Sequence, residues 1–203
     1  MMDKLSTKLN AKVIDVTLAQ TQPNQAEMLF ESVRLFKANK EMERHFITSY
    51  SKSSLPLVVC SALNKAFNIV TKLSTGHSVI MTETVENTNS PKFTSIVASL
   101  VQIIIDEKYR QLDGFLDLID REWTLLGHDF NDLYAWMAFV ESVNHLFGEI
   151  DFHFNHNILP LFLHAPTLGL FEQFNFKNQR HRTQQVQQHG NKEIANFGYF
   201  IKK

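Results

Sequence analysis

The residues best placed to do chemistry lie in a polar loop between a short predicted strand and an apolar predicted helix, within the stretch from Gly76 to Arg110. A loop that leads into a helix is suited to binding phosphate, because the first N–H groups of a helix are unpaired and its dipole is positive there. In this loop, however, the charged residues are Glu83, Glu86 and Lys92, and neither cysteine nor arginine is present. This charge balance would repel a phosphate dianion.

Nucleophilic catalysis by cysteine and metal binding are two other possibilities, and the sequence contains only some of the residues that each requires. A nucleophilic cysteine requires a positive neighbourhood, but Cys60 follows Leu-Val-Val, so we predict a small core residue on the apolar face of a helix. Asp151, His153 and His156 are close enough in sequence to be considered as metal ligands. No HExxH motif or paired-cysteine spacing accompanies them, so ordinary histidines are the simpler interpretation and a metal site is the alternative.

The amino-acid composition limits the classes of protein to which this chain can belong. A chain of 203 residues with 44% hydrophobic content can bury the core of one domain. A net charge of -1 gives no basic surface of the kind that nucleic-acid binding usually requires, so nucleic acid is not expected as a partner. One cysteine suits a reducing compartment, so we predict a cytoplasmic protein. We find no signal peptide and no apolar run long enough to span a bilayer, so any membrane contact would be peripheral.

The elements that position the loop begin with a β-branched strand from Val13 to Leu18, followed by a helix whose apolar face holds Leu29, Val33 and Phe36. The segment from Glu43 to Ser53 has an irregular pattern. Ser54-Leu55-Pro56 predicts a helix start. The apolar stripe of that helix is predicted to be Val59, Leu63, Ala66, Phe67, Val70 and Leu73.

Gly76 then provides a left-handed helix end, and a strand follows from Ser78 to Met81. The run from Ser95 to Ile105 is ambiguous in composition, and we assign it as a buried helix by its length. Two more helical stripes carry the aromatic anchors Trp123 and Trp136. Phe152 and Phe154 alternate with polar residues like a short extended piece, and residues 158 to 163 are apolar enough to be mostly buried.

From Lys177 to Glu193 the composition becomes Gln, Asn, His, Arg and Lys with almost no apolar residue. Such a segment cannot bury enough apolar surface to offset the entropy of ordering it. We therefore predict a folded domain over residues 1–180 and a disordered polar tail over residues 181–203.

Several of these segments resemble the myotubularin family of phosphoinositide phosphatases. The resemblance is carried by Asp106-Glu-Lys-Tyr-Arg110, by the run from Gly114 to Trp123 that contains Arg-Glu-Trp, and by Gly127-His128-Asp-Phe130. In the family these sequences follow a strand, a Cys-x5-Arg loop and a helix, and this chain keeps that order. The resemblance runs from about Val13 to Arg180, and it implies an α/β, cysteine-phosphatase-like fold with a helix-rich carboxy-terminal portion.

The same resemblance implies that every catalytic position is changed. Aligned backward from the helix around Ser99, the nucleophile falls on Asn87, its preceding histidine on Glu86 and the phosphate-binding arginine on Phe93. The two loop aspartates then fall on Asn89 and Lys92. Aligned forward from Gly76, the nucleophile falls on Glu83 and the arginine on Asn89. Independently of either alignment, the sixth residue after Cys60, the single cysteine, is Ala66, so the sequence contains no Cys-x5-Arg.

The resemblance therefore implies the inactive, pseudophosphatase branch of the family, whose members act as adaptors of active relatives. From it we expect hetero-oligomers with an active myotubularin-family phosphatase, possible peripheral contact with phosphoinositides on endosomal membranes, no nucleic acid, no cofactor and no metal. The alternatives are a hydrolase with relocated, metal-dependent chemistry and a phosphoinositide-binding module. The lipid-binding module and half of the family's catalytic domain would precede Met1, and no coiled coil follows Lys203, so a fragment or shortened protein with an incomplete sheet is expected.

Overall fold

The computed structural model describes residues 11–17, 43–83, 93–128, 130, 133–168, 170–171, 174 and 196–202. The chain divides into two compact units, one of Met1–Val97 with Asp132–Ser142 and the other of Ala98–Asn131 with Val143–Lys203. The helix predicted around Leu29, Val33 and Phe36 lies outside the described residues. No helix in the described ranges is both long and apolar enough to cross a membrane.

In the first unit, strands β1 (Ala11–Asp15) and β2 (Ser78–Thr82) form a parallel pair. Ala11 lies opposite Ser78, and the register continues to Asp15 opposite Thr82. The prediction of β2 is confirmed with one added residue, but the bounds predicted for β1 were wrong. β1 starts two residues earlier because it pairs with β2, and it ends where the Asp15 carboxylate accepts hydrogen bonds from the Thr17 N–H and hydroxyl.

In the described part of the chain between the strands, from residue 43 onward, lie the helices α1 (Glu43–Lys52) and α2 (Leu55–Ser74). The segment from Glu43 to Ser53, whose sequence pattern is irregular, is thus helical over Glu43–Lys52. The helix α1 packs on α2, and this tertiary contact stabilises a helix that the apolar pattern alone does not predict. The start of α2 at Leu55 and Pro56 is confirmed, and Gly76 has a φ of 81°, as expected for a residue that ends a helix.

The buried face of α2 is rotated from the predicted stripe. Phe67 is 44% exposed and Cys60 is also exposed, which corrects the prediction that this cysteine is a core residue. The α2 face that packs inward consists of Leu55, Val58, Val59, Ala62, Ala66 and Ile69. This face has the spacing of one helical stripe, and it places Cys60 toward solvent.

Of the next three helices, the first and the third contribute residues to both units, and the second lies within the second unit. The helix α3 (Phe93–Ile105) confirms the helical assignment of the ambiguous run. The helix α4 (Leu112–Ile119) continues into a π-helical turn at Asp120–Leu125, and Gly127 follows with a φ of 76°. The helix α5 (Leu133–Leu146) carries the buried Trp136, whose ring lies 5.5 Å from that of Phe139.

A buried hydrogen bond joins α5 to the turn after α1 within the first unit. The Tyr134 hydroxyl donates to the Ser53 carbonyl over 2.7 Å, and burial raises the pKa of Tyr134. The hydroxyl must keep its proton to make this bond, so the environment and the hydrogen bond favour the same protonated form.

The second unit is built on aromatic side chains. Its further elements are 3-10 turns at Glu107–Arg110 and His156–Ile158, the helix α6 (Leu159–Leu168) and the helix α7 (Phe197–Ile201). Phe162 packs edge-on against Phe115 and Phe197, with ring centroids 5.2 and 5.0 Å away. Phe152 and Phe154 lie in irregular chain, where Phe152 stacks on Phe147 at 4.0 Å.

The helix α7 differs from the disorder predicted for residues 181–203, at least in the last residues of that tail. Asn196 caps it by accepting a hydrogen bond from the Tyr199 N–H, and Phe197 is buried among Phe162, Phe171 and Phe174. The composition of the tail dominated the prediction, whereas the burial of a single aromatic residue, Phe197, attaches this end of the tail to the second unit. The polar stretch from Lys177 to Glu193 lies outside the described residues.

Candidate functional site

The carboxyl ends of β1 and β2 meet the beginning of α3 in the first unit. In open parallel sheets, this edge is where loops gather and where ligands generally bind. β2 ends at Thr82, Glu83 follows it, and α3 begins at Phe93. The candidate site therefore consists of the residue that leaves the strand and those that enter the helix.

Glu83 contacts the amino terminus of α3 with both of its carboxylate oxygens. Its Oε1 accepts a hydrogen bond from the Phe93 N–H over 3.0 Å, and its Oε2 accepts one from the Thr94 N–H over 3.1 Å. The Thr94 hydroxyl also donates to Oε2, over 2.6 Å. The carboxylate thus accepts hydrogen bonds from two of the N–H groups that a helix leaves unpaired at its start. Its negative charge also interacts favourably with the positive end of the helix dipole.

Phe93 has an apolar environment, opposite to the one that its aligned role would require. The side chain is only 3% exposed, and it begins a helix whose residues Ser95, Ile96 and Val97 are also buried. An arginine that binds phosphate needs its guanidinium at the ligand. The structure instead uses this position as part of the core.

The end of β1 adds a second polar group to the same sheet edge. Hydrogen bonds from Thr17, first from its hydroxyl and then from its backbone N–H, hold the pKa of Asp15 below its usual value. Lys65 of α2 donates to the carbonyl oxygens of Asp15 and Thr17 over 2.9 and 2.8 Å. These contacts attach α2 to the end of β1 and occupy the lysine with backbone oxygens.

The remaining predicted positions are distributed as follows. Glu86, Asn87, Asn89 and Lys92 lie outside the described residues. The forward alignment places the nucleophile at Glu83, and the backward alignment places the arginine at Phe93. The structure joins these two residues by a hydrogen bond from the Phe93 N–H to the Glu83 carboxylate.

The structure does not bring the alternative metal ligands together. His153 Nε2 lies 2.9 Å from Glu107 Oε1, and His156 Nε2 lies 2.5 Å from Asn144 Oδ1. In the part of the chain that the structure describes, no three His, Cys, Asp or Glu side chains are placed to hold a metal ion. Asp151, His153 and His156 thus do not form a metal-binding cluster in the described part of the chain, because each histidine has a different neighbour.

The role of Glu83 as a helix cap was missed by sequence reasoning. Caps are normally sought immediately before a helix, among Ser, Thr, Asp and Asn, and here Lys92 precedes Phe93. The cap comes instead from ten residues upstream. A signal was present, since an acidic residue that ends a strand before a loop can reach the amino terminus of the next helix.

A parallel strand pair with helices between its strands is consistent with part of an α/β domain. The chain belongs to the myotubularin family, because residues 7–183 match the family described as "Myotubularin-like phosphatase domain". The implied fold class is thereby confirmed.

Similar proteins include both named enzymes and family members without a named activity. The chain is 30% identical over 176 residues to "Phosphatidylinositol-3,5-bisphosphate 3-phosphatase MTMR3" of Caenorhabditis elegans, which covers 78% of this chain and 17% of that protein. It is 31% identical over 121 residues to "Myotubularin-related protein 10" of Danio rerio, covering 59% and 16%. The human protein of the same name is 23% identical over 186 residues, covering 85% and 24%. The chain thus spans less than a quarter of the length of these relatives.

Proposed function

We propose that this chain is a catalytically inactive, phosphatase-like domain of a myotubularin-related protein that regulates an active relative by binding it. The single observation that supports the inactivity most strongly is the position of Glu83. Its carboxylate fills the amino terminus of α3, which the resemblance assigns to the phosphate-binding loop.

The chemistry of the family's reaction explains why the position of Glu83 supports catalytic inactivity. A thiolate must attack phosphorus, and N–H groups together with an arginine must stabilise the phosphoryl oxygens. Here Glu83 uses the Phe93 and Thr94 N–H groups itself, and the arginine position under one alignment is the buried Phe93. The printed sequence also contains no Cys-x5-Arg. Loss of one such stabilising group typically lowers the rate by a factor of about 100 to 1,000, so loss of all of them leaves no useful turnover.

The proposed role as an adaptor rests on a preserved scaffold around a changed loop. The residues of the family motifs keep structural functions in the second unit. For example, the Trp123 indole N–H donates to the Ser99 hydroxyl over 3.1 Å, and Gln102 donates to Glu122 over 3.0 Å. A domain that keeps these contacts retains surfaces for a partner. The proposed partner is an active myotubularin-family phosphatase, in the cytoplasm or at the surface of endosomal membranes.

A turnover assay tests the inactivity. We expect the purified chain to release no phosphate from phosphatidylinositol 3-phosphate or 3,5-bisphosphate above the level of a buffer blank, because no group on the chain can form the phosphoenzyme. An active 3-phosphatase of the family is the positive control. Release that scales with the amount of chain, and that disappears in Glu83→Ala, would contradict the proposal.

A binding assay tests the regulatory role. The chain is mixed with a purified active myotubularin-family phosphatase, and co-elution and the turnover of the active enzyme are measured together. We expect a complex and a changed rate. An active phosphatase of another fold serves as the control partner. If the chain neither co-elutes with the active relative nor changes its rate, the adaptor role is wrong while the inactivity stands.

A further inference from the structure

We propose that the groove between α4 and α7, in the second unit, binds an arginine side chain presented by a partner protein. The groove has a volume of about 430 Å³, which is within the range of ordinary ligand sites. This inference goes beyond the proposed function, because it names a binding surface and the chemistry of its occupant. It is tested without an active phosphatase, so its failure and the failure of the proposed function are distinguishable.

The deeper part of the groove is apolar. Its lining residues Ile119, Phe174 and Phe197 are all buried. The rings of Phe174 and Phe197 pack edge-on with their centroids 5.3 Å apart, so this part of the lining is a packed surface. An aliphatic chain that covers it is removed from water, which is favourable.

The rim of the groove is acidic on the side of α4. Asp113 and Asp117 are four residues apart on one face of that helix, and Asp120 follows at the start of the π-helical turn. All three side chains are exposed. Among the described residues that line the groove, Lys202 is the single cation, so carboxylates outnumber ammonium groups by three to one. A cationic occupant is therefore complementary to the rim.

Two lysines of the chain already lie against this acidic rim. Lys202 Nζ forms an ion pair with Asp113, and Lys108 Nζ lies 3.9 Å from Asp117. The pair with Lys108 is long and both of its side chains are largely exposed, so it contributes little to stability. Asp117 is thus the carboxylate that an incoming cation can reach at the lowest cost.

Arginine fits the groove better than lysine does. Its guanidinium can form two parallel hydrogen bonds with one carboxylate, and its plane stacks on aromatic rings. Tyr199 supplies such a ring beside the acidic rim, where it is 66% exposed. The aliphatic stem of the arginine can then cover the apolar part of the groove.

An ordinary solvated acidic surface is the competing explanation. Such a surface attracts any cation through its net charge, whatever the shape of the cation. A docking site distinguishes arginine from lysine, and its affinity depends on Tyr199 as well as on a carboxylate. The experiment therefore uses probes that differ in one side chain.

Fluorescence anisotropy measures the binding of labelled peptides to the full 203-residue chain at fixed ionic strength. The probe is a capped peptide of glycine and alanine with one central leucine-arginine pair, and lysine or citrulline replaces the arginine in two further versions. Citrulline keeps the shape of arginine without its charge. We expect the arginine peptide to bind at least about fivefold more tightly than the citrulline peptide. The lysine peptide should lie between them.

Asp117→Asn and Tyr199→Ala test the two contacts separately. Each should weaken binding of the arginine peptide about two- to fivefold. Glu149→Gln is the matched control, because it removes an exposed negative charge of the second unit that does not line the groove. It should bind the peptide as wild type does. Circular dichroism of each variant checks that its helix content is unchanged.

Two results would overturn the inference. The first is binding of the lysine or citrulline peptide by wild type as tightly as the arginine peptide. The second is an equal loss of affinity in Asp117→Asn and Glu149→Gln with no effect of Tyr199→Ala, which would indicate a general effect of charge. Turnover, and co-elution with an active relative, test the proposed function and are read separately.

Discussion

Glu83 and Phe93 show how side-chain type and surroundings agree at the start of α3. The negative residue lies where helix N–H groups need an acceptor, and the apolar residue lies in the core. A carboxylate at the buried position of Phe93 would lack hydrogen-bond donors. A phenylalanine at the position of Glu83 could not accept the helix N–H groups and would bury less apolar surface. Restoring catalytic residue types at this loop would therefore disturb a structure adapted to different ones.

We predict that the double variant Asn87→Cys with Phe93→Arg has no phosphatase turnover and a lower melting temperature than wild type. The guanidinium would enter a site that is 3% exposed in wild type, and Glu83 would still hold the α3 N–H groups. A misplacement of about 1 Å lowers a rate by a factor of about 100. Phosphate release and thermal unfolding are measured together.

Phe93→Leu, which keeps the position apolar, and Asn87→Cys alone are the controls for that experiment, and both should remain nearly as stable as wild type. Turnover of the double variant close to that of an active family member would show that the surroundings do accept the catalytic groups.

A second residue-scale prediction concerns two serines that are both 0% exposed. Ser99 accepts a hydrogen bond from the buried Trp123 indole N–H, so Ser99→Ala removes the acceptor of that buried hydrogen bond. We expect a loss of about 1–3 kcal/mol in the free energy of unfolding, measured by chemical denaturation. Ser142→Ala is the control, because Ser142 donates to the Ala138 carbonyl, a group one helical turn earlier in α5. Equal losses in the two variants would exclude the role assigned to the Trp123 contact.

At the scale of elements, α4 approaches the preceding 3-10 turn at Glu107–Arg110 very closely. The contact is made at Gly114, where an added Cβ would lie 2.0 Å from the Lys108 carbonyl oxygen and 2.7 Å from its carbon. Backbone atoms cannot move aside as a flexible side chain can. The glycine is therefore required by the packing of one element on another.

We expect Gly114→Ala to lower the free energy of unfolding by about 1–3 kcal/mol, the usual cost of overpacking. In an open helix the same change would be stabilising, because alanine is the better helix former. Gly148→Ala is the matched control, since its Cβ would meet only the His145 carbonyl oxygen at an ordinary 3.5 Å. Chemical denaturation of both variants checks the difference. A Gly114→Ala chain as stable as Gly148→Ala would mean that α4 shifts freely away from the turn.

At the scale of the whole molecule, the parallel pair of β1 and β2 indicates how the chain behaves in solution. Parallel sheets are normally covered on both faces, and pairs of strands alone are marginal. In this pair Val13 is 42% exposed, and Val79, Ile80 and Met81 are each partly exposed. An apolar surface of this kind favours association.

We predict that the isolated 203-residue chain associates or unfolds without one sharp transition. Size-exclusion chromatography with light scattering over a range of concentrations, together with thermal unfolding, measures this. Val13→Lys should shift the population toward monomer, because a charge at a strand edge opposes pairing. Leu168→Lys, which changes an exposed leucine of the second unit, is the control and should have a smaller effect. A compact monomer with one sharp transition would show that the chain is a self-sufficient domain.

The sequence by itself determined features that depend on near neighbours. The helical periodicity predicted most of α2 and α5, and the length of the apolar run predicted α3. The aromatic content predicted that Trp123 and Trp136 are buried, and Gly76 predicted the left-handed end of α2. The charges of the loop before α3 and the family motifs could likewise be identified from the sequence alone. These features follow from spacing within a few turns of chain, where helix geometry fixes which side chains share a face.

Only the tertiary structure decided which of these faces meet and which distant groups pair. The register of β1 on β2, the inward face of α2 that leaves Cys60 exposed, and the reach of Glu83 to residues ten and eleven positions later all join distant segments. Many pairings of such segments are compatible with one hydrophobic pattern. Packing and the satisfaction of hydrogen bonds select among them, and the amino terminus of α3 is capped by Glu83, the residue directly after β2.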